Sequence, residues 1–331
     1  MSEFGVYQTA VGWQFDQIRD YIVLAEQLGF DAFWTMDNVV LIDPETEEQV
    51  PVFETWTLLP ALAAVTIKIR LGPLVTPCNR RHPALFAKMT TTFDRISNGR
   101  LDLGLGPGDD PMYFVPWGMR FPKASVRIAI LREEIEVLKR MWTEARASYE
   151  GVYYQLDQAV NHPKPIQKPH PPIWIGLVLG RKLMPRLAVD VADGINVYNG
   201  SDVATGELLD AVRMNCEASS REYESIRKSR NVNVVFTDDG ELSEAVRALT
   251  DLDDLKVVRA MSLDDQLAEI KNKKYANYVR ITERFVVGSS DEIVEQLNAI
   301  RAMGFDQIIA GGLGRSEDLI RFAEEVIPYV G

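Results

Sequence analysis

The sequence predicts a (β/α)8 barrel, a parallel sheet closed on itself inside a ring of helices. Three observations lead there. Short β-branched or aromatic runs alternate with longer stretches of helical period, and the count reaches eight strands, each followed by helix. One device occurs twice: "EQLGFDAFW" (26–34) and "RAMGFDQII" (301–309) each end a helix at Gly, tuck a Phe behind it and use Asp to lead into a buried strand. Finally, 331 residues is a usual length for an α/β barrel built as a single domain, and no linker divides residues 1–331.

The elements follow in order. "EFGVYQ" (3–8) is strand one. "FDQIRDYIVLAEQLGF" (15–30) is a helix with Ile18, Ile22, Leu24, Ala25 and Leu28 on one side, stopped by Gly29. "DAFWTM" (31–36) is strand two, "ETWTLLPALAAVT" (54–66) a helix, and "IRLGPLVTP" (69–77) strand three. "PALFAKMTTTFDRIS" (83–97) is a helix stopped by Asn98-Gly99, and "RLDLGLG" (100–106) is strand four, followed by a helix from Val126 to Trp142. "PPIWIGL" (171–177), "RKLMPRLAVDVA" (181–192) and "GINVY" (194–198) are strand five, helix and strand six. A helix from Val203 to Tyr223 and strand seven, "NVNVVFT" (231–237), follow. "DEIVEQLNAIRAMGF" (291–305), "DQIIAGG" (306–312) and "SEDLIRFAEEVIPYV" (316–330) supply helix, strand eight and the last helix. Three stretches break the alternation: 39–53, 143–172 and 251–283. These are expected to be insertions lying over the barrel ends.

Bulk properties narrow the function. The net charge is −12 and no Lys/Arg block is long enough for a basic stripe, which argues against a nucleic-acid or anionic-membrane surface. The start of the chain shows no charged leader with an apolar core, and the longest apolar stretch, around "LLPALAAV", is too short to span a bilayer, so a cytoplasmic protein is expected. Cys78 and Cys216 give no disulfide framework or metal spacing. His82, His162 and His170 form no metal-binding cluster, so no metal is expected. The partner is expected to be a small molecule.

In such a barrel the site is built just beyond the strand C-termini. The candidates are Tyr7 to Thr9, Asp37 and Asn38, Leu74 to Arg81, Gly106 to Asp110, Gly176 to Lys182, Tyr198 and Asn199, Thr237, and Gly311 to Arg315. This set is rich in glycine and amide and poor in nucleophiles. His82 is the only histidine near a strand end and is expected to cap the helix beginning at Pro83 rather than serve a triad. Asp37 and Asp109, from strands two and four, could face each other as a glycosidase pair, though nothing else suggests a sugar cleft. Asp109 and Asp110 are sequence neighbours that point apart, and Asp110 reads as solvated.

The glycines of "GLGPGDD" (104–110) satisfy neither the dinucleotide nor the P-loop motif, because no helix starts for some fifteen residues. Bare backbone at Gly106, Pro107 and Gly108 either lets a flat ring lie against it or only lets the chain turn. A second glycine stretch, "GLVLGRKLM" (176–184), places Gly180, Arg181 and Lys182 where a helix opens. It is either an anion seat or a solvated helix start.

Taken together, "AEQLGFDAFWTMDN", "LGPLVTP", "RRHPALFAKMTTTFDRISNGRLDLGLGPG", "PKPIQKPHPPIWIG", "ADGIN" and "VVGSSDEIVEQLNAIRAMGFDQII" resemble the luciferase-like family of flavin and deazaflavin oxidoreductases. "GPGD" and "LGPLVTP" look most like the branch using coenzyme F420, which includes methylenetetrahydromethanopterin reductase. The resemblance implies a non-proline cis bond at Leu74-Val75, with the cofactor ring over it and bordered by Thr76, Pro107, Gly108 and Asp109. It also implies that Gly176 to Lys182, Leu179 included, hold the phosphate-bearing tail. Catalysis is assigned to Asp37, Asn38 and Asp109. The implied function is hydride transfer between F420 and a small carbonyl, imine or enone substrate. An FMN-dependent monooxygenase and a non-catalytic flavin-binding protein are the alternatives. Many members have His where this chain has Asn38, and an amide can donate a hydrogen bond but cannot shuttle a proton near neutral pH. Pocket walls are expected from 39–53, 109–122 and 251–283, with Tyr113, Phe114 and Trp117 suggesting an apolar ligand. A homodimer is expected by the same resemblance.

Overall fold

A computed structural model describes residues 3–9, 11–42, 49–178, 180–198, 202–238, 240 and 284–331. The expected insertion 251–283 and the middle of 39–53 lie outside the described residues. In chain order the strands are β1 (Glu3–Tyr7), β2 (Ala32–Thr35), β3 (Leu41–Ile42), β4 (Gln49–Val50), β5 (Arg70–Pro73), β6 (Thr76–Pro77), β7 (Leu103–Gly106), β8 (Ala147–Glu150) and β9 (Gln155–Ala159). They continue with β10 (Ile173–Leu177), β11 (Gly194–Val197), β12 (Arg227–Phe236), β13 (Arg284–Gly288) and β14 (Gln307–Gly311). The helices are α1 (Phe15–Gln27), α2 (Thr55–Ala63), α3 (Pro83–Ile96), α4 (Ala124–Thr143), α5 (Leu183–Val191), α6 (Asp202–Ser219), α7 (Ser290–Ala302) and α8 (Ser316–Glu325).

One parallel sheet runs β5-β2-β1-β14-β12-β11-β10-β7-β6. Its two ends, β5 and β6, are halves of the third strand, separated only by Leu74 and Val75. β7 pairs with β6 and its approach pairs with β5 through Leu71 and Leu101, so the sheet closes as the expected barrel. The expected strands and helices all form among the described residues, with ends shifted by a few residues. β13 is an addition: it runs parallel along the far half of β12, from Val232 opposite Arg284 to Phe236 opposite Gly288.

The repeated helix-to-strand device has a physical reason. Gly29 and Gly304 adopt φ of +89° and +94°, which other residues enter at a cost, and Phe30 and Phe305 behind them are each 3% exposed. The aspartates then tie neighbouring strands together: Asp31 accepts the Phe4 N–H at 2.8 Å and Asp306 the Lys228 N–H at 2.7 Å. Asp193 does the same for Ile173 at 2.8 Å, a third copy.

Segment 143–172 runs along α3 and α4 and reaches the N-terminal end of the barrel, where Gln167 donates to the Leu101 carbonyl at 2.7 Å and accepts from Arg70 at 3.1 Å. Glu133 accepts the N–H groups of Val152, Tyr153 and Tyr154 at 2.8 to 3.1 Å, Asn161 donates to Thr91 at 2.9 Å, and Asp94 accepts from Ile166 at 2.6 Å. Helix side chains thus take up several of the backbone N–H groups that this segment leaves unpaired.

The main core lies between sheet and helices, and a second cluster of Ala32, Trp34, Leu74, Trp174 and Ile309 plugs the barrel. Trp34 and Trp174 meet edge-to-face at 5.8 Å, a geometry worth roughly 1 kcal/mol beyond the area it buries. No helix of the described residues is long and apolar enough to cross a membrane.

Candidate active site

Every strand of the barrel sheet points its C-terminus at one mouth, and the third strand shapes its floor. The Leu74-Val75 peptide bond is cis, as expected. Beyond it Val75 reaches sideways over strands four and five: a Cβ on Gly106 would lie 2.6 Å from one Val75 methyl, and a Cβ on Gly176 3.0 Å from the other. These two glycines therefore make room for Val75, which stays half-buried at the C-terminal ends of these strands. The result is an apolar platform spanning the ends of strands three, four and five.

Gly108 has φ of +77°, and a Cβ there would meet the Phe114 ring at 2.9 Å. Its bare backbone therefore serves both a turn and the seat of a buried aromatic. Phe114 is 1% exposed, so of the three aromatics expected to line a pocket it is a support; Tyr113 is half-buried and Trp117 exposed. Asp110, expected to be solvated, is 8% exposed and its carboxylate accepts the Met112 N–H at 3.0 Å, starting the tight turn Pro111–Tyr113. Asp109 is exposed at the rim. Arg127 of α4 grips the loop from behind, donating to the carbonyls of Pro107 at 3.0 Å and Gly108 at 3.1 Å.

Asp37 is buried in a network that sequence reasoning did not assemble. Arg81 donates to its two carboxylate oxygens at 2.7 and 3.2 Å, and the Thr76 hydroxyl donates to it at 2.9 Å. Trp56 in turn donates to Thr76 at 2.9 Å, and Arg81 also bonds Glu54. Arg80 donates to the Asp37 carbonyl and lies 3.6 Å from its carboxylate. Burial works against the Arg81 charge, but the bonds to Asp37 and Glu54 overcome it and hold the group above its usual value. Burial would likewise raise Glu54, yet bonds from Thr57 and Arg81 draw its carboxyl below the ordinary range. Asp37 is thus an anchor for two arginines, and Thr76 is committed to it. Asn38 next door is half-buried.

Arg80 and Arg81 lay within the candidate stretch 74–81, but nothing in "RRHP" shows that both turn back to strand two. His82 caps α3 as expected, its Nδ1 accepting the Ala84 N–H at 3.3 Å. Behind this turn stands Glu134 of α4, 2% exposed, which accepts the Asn79 N–H at 3.2 Å. Burial pushes its carboxyl up to about 8. No sequence signal marked it, since an acid inside an amphipathic helix reads as surface.

On the opposite side, Asn196 donates to Ser229 at 3.0 Å and Asn231 at 2.7 Å inside the barrel. The expected anion seat is only partly assembled. α5 begins at Leu183, Arg181 pairs with Glu207 of α6 at 3.0 Å, and Gly180 and Lys182 are exposed. Leu179 lies outside the described residues. No group of three or more His, Cys, Asp or Glu able to hold a metal occurs among the described residues.

A closed parallel barrel with an interrupted third strand and a glycine-cleared mouth defines the class. The chain belongs to the luciferase-like monooxygenase family, whose profile matches residues 2–307. It is 26% identical over 319 residues to an F420-dependent glucose-6-phosphate dehydrogenase of Amycolatopsis mediterranei, covering 93% of this chain and 92% of that one. Its fold matches coenzyme F420-dependent tetrahydromethanopterin reductase from Methanopyrus kandleri at a TM-score of 0.78 with 20% identity, over 100% and 99% of the two chains. An F420-dependent secondary alcohol dehydrogenase, solved with an F420-acetone adduct, matches equally at 0.78 with 18% identity over the same shares.

Proposed function

We propose that the chain is an oxidoreductase that uses coenzyme F420 and passes hydride between it and a small organic substrate of carbonyl, imine or enone type. The observation that carries this reading is the Val75 platform. It is apolar, half-buried at the C-terminal strand ends and cleared of side chains by Gly106 and Gly176, which fits a planar ring. Leu74, Val75 and Thr76 would lie beneath the ring, Gly106, Pro107, Gly108 and Asp109 along one edge, and Gly176, Gly180, Arg181 and Lys182 toward the tail. When bound, the deazaflavin supplies a carbon that takes or gives hydride in two-electron steps.

The chain's own residues supply placement and charge. Asp37, with two arginines and a hydroxyl on it, holds the turn after strand three in place instead of moving a proton. Asn38 offers an amide donor to a substrate oxygen. Asp109, exposed beside the platform, is the carboxylate placed to exchange a proton with substrate or water.

Purified protein should reduce F420 with at least one of glucose 6-phosphate and propan-2-ol, or oxidise reduced F420 with a carbonyl or enone compound. Tight FMN binding with oxygen-dependent turnover would favour the monooxygenase reading that the family's description suggests. F420 binding without turnover across the panel would leave a non-catalytic binder. We further read the protein as cytoplasmic and as a homodimer, whose contact would cover the exposed Leu85 (59%) and Ile96 (48%) on the outer side of α3. Sedimentation equilibrium checks this, and a monomer would refute it.

A further inference from the structure

One guanidinium at the mouth is left incomplete by the fold. The Arg80 side chain is 2% exposed, yet it makes a single hydrogen bond among the described residues, to the Asp37 carbonyl, and its Nε is buried without a partner. Its nearest carboxylate oxygen, Asp37 Oδ1, stands off at 3.6 Å and already accepts from Arg81 at 3.2 Å, while Thr76 and the other Arg81 nitrogen hold Oδ2. The Phe114 ring lies 5.0 Å beneath the guanidinium, which favours the cation but uses no N–H. Asp109 acts on the same charge from the rim of strand four. Burying a cation with most of its donors unused is costly, so the arrangement is complete only when an acceptor arrives.

We propose that Arg80 is the substrate-binding cation of the mouth, its unused N–H donors taking a negatively charged oxygen: a carboxylate, a phosphate, or a carbonyl oxygen that gains charge as hydride reaches the carbon. This rests on the oxidoreductase reading above and narrows its substrate class. It also supplies the positive charge that the Asn38 amide lacks. Lysine is no equal replacement, because a point charge cannot offer the guanidinium's paired donors.

Calorimetric titration with inorganic phosphate and with acetate tests this, on both cofactor-free and F420-loaded protein, alongside an F420 fluorescence titration. Wild type is expected to bind at least one anion. Arg80→Gln should lose about tenfold or more in that affinity and Arg80→Lys an intermediate amount, with F420 affinity changed less than about threefold. Millimolar guanidinium chloride should restore anion binding to Arg80→Ala. If wild type binds neither anion in either form, or if both Gln and Lys variants bind as wild type does, the proposal falls. A parallel loss of F420 affinity overturns it too, giving Arg80 to the cofactor. Should Arg80→Gln fail to fold, the Lys variant decides. If no F420 binds at all, the oxidoreductase reading fails while the cofactor-free titration still decides Arg80.

Discussion

Two buried acids carry the residue-scale account. Asp37 is fully buried and neutralised by Arg81, with Arg80 close by. Asp37→Asn keeps the shape but takes from Arg81 its buried charge partner, so unfolding stability should drop by about 3 kcal/mol, read from denaturant midpoints. A loss under about 0.5 kcal/mol would show the network to be slack. Glu134 behaves oppositely. Its folded carboxyl sits at about 8 against 4.5 when unfolded, so the folded state holds its proton longer. Its contribution is therefore full below pH 4.5 and is lost as pH rises through about 8. Cys78, Asn79 and Arg81 face it from the turn before α3, and Tyr154 from the β8–β9 hairpin. Glu134→Gln should match wild type near pH 4.5 and melt higher at pH 8, by an amount worth a few kcal/mol. Parallel melting curves across that range would remove the effect.

At the scale of elements, the interrupted third strand and its two neighbours are the working unit. Gly106→Ala places a methyl 2.6 Å from Val75 and must displace it, Gly176→Ala does so at 3.0 Å, and Gly180→Ala meets nothing within 4 Å. F420 affinity is expected to fall most for Gly106→Ala, on the order of tenfold, less for Gly176→Ala, and hardly for Gly180→Ala. Equal affinities in all three would mean that the platform is no seat. The barrel strands were legible because buried parallel strands are short apolar runs between helices of clear period. β13 was not, because "RFVVG" directly follows a segment without alternation and pairs with only half of β12. Gly106 was legible as a cleared position, whereas Gly176 read as part of an anion seat. That Val75 fills the clearing depends on a strand crossing that no local pattern encodes. That Arg80 and Arg81 both turn back to Asp37 was not legible for the same reason, since their shared partner lies at the end of strand two, far away in sequence.

The whole molecule is a luciferase-family barrel whose mouth joins an apolar platform on strands three to five to a charged rim on strands two to four. Family membership carries the fold. The claim particular to this chain is that the platform seats F420 and that substrate meets it beside Asn38, Arg80 and Asp109. Fluorescence titration of the purified chain with F420, with FMN as competitor, tests that claim most directly. The expected result is saturable binding at one site per chain, in the micromolar range, weakened by Gly106→Ala and not displaced by FMN. Absence of saturable F420 binding, with FMN bound tightly and giving a flavin spectrum, would contradict it.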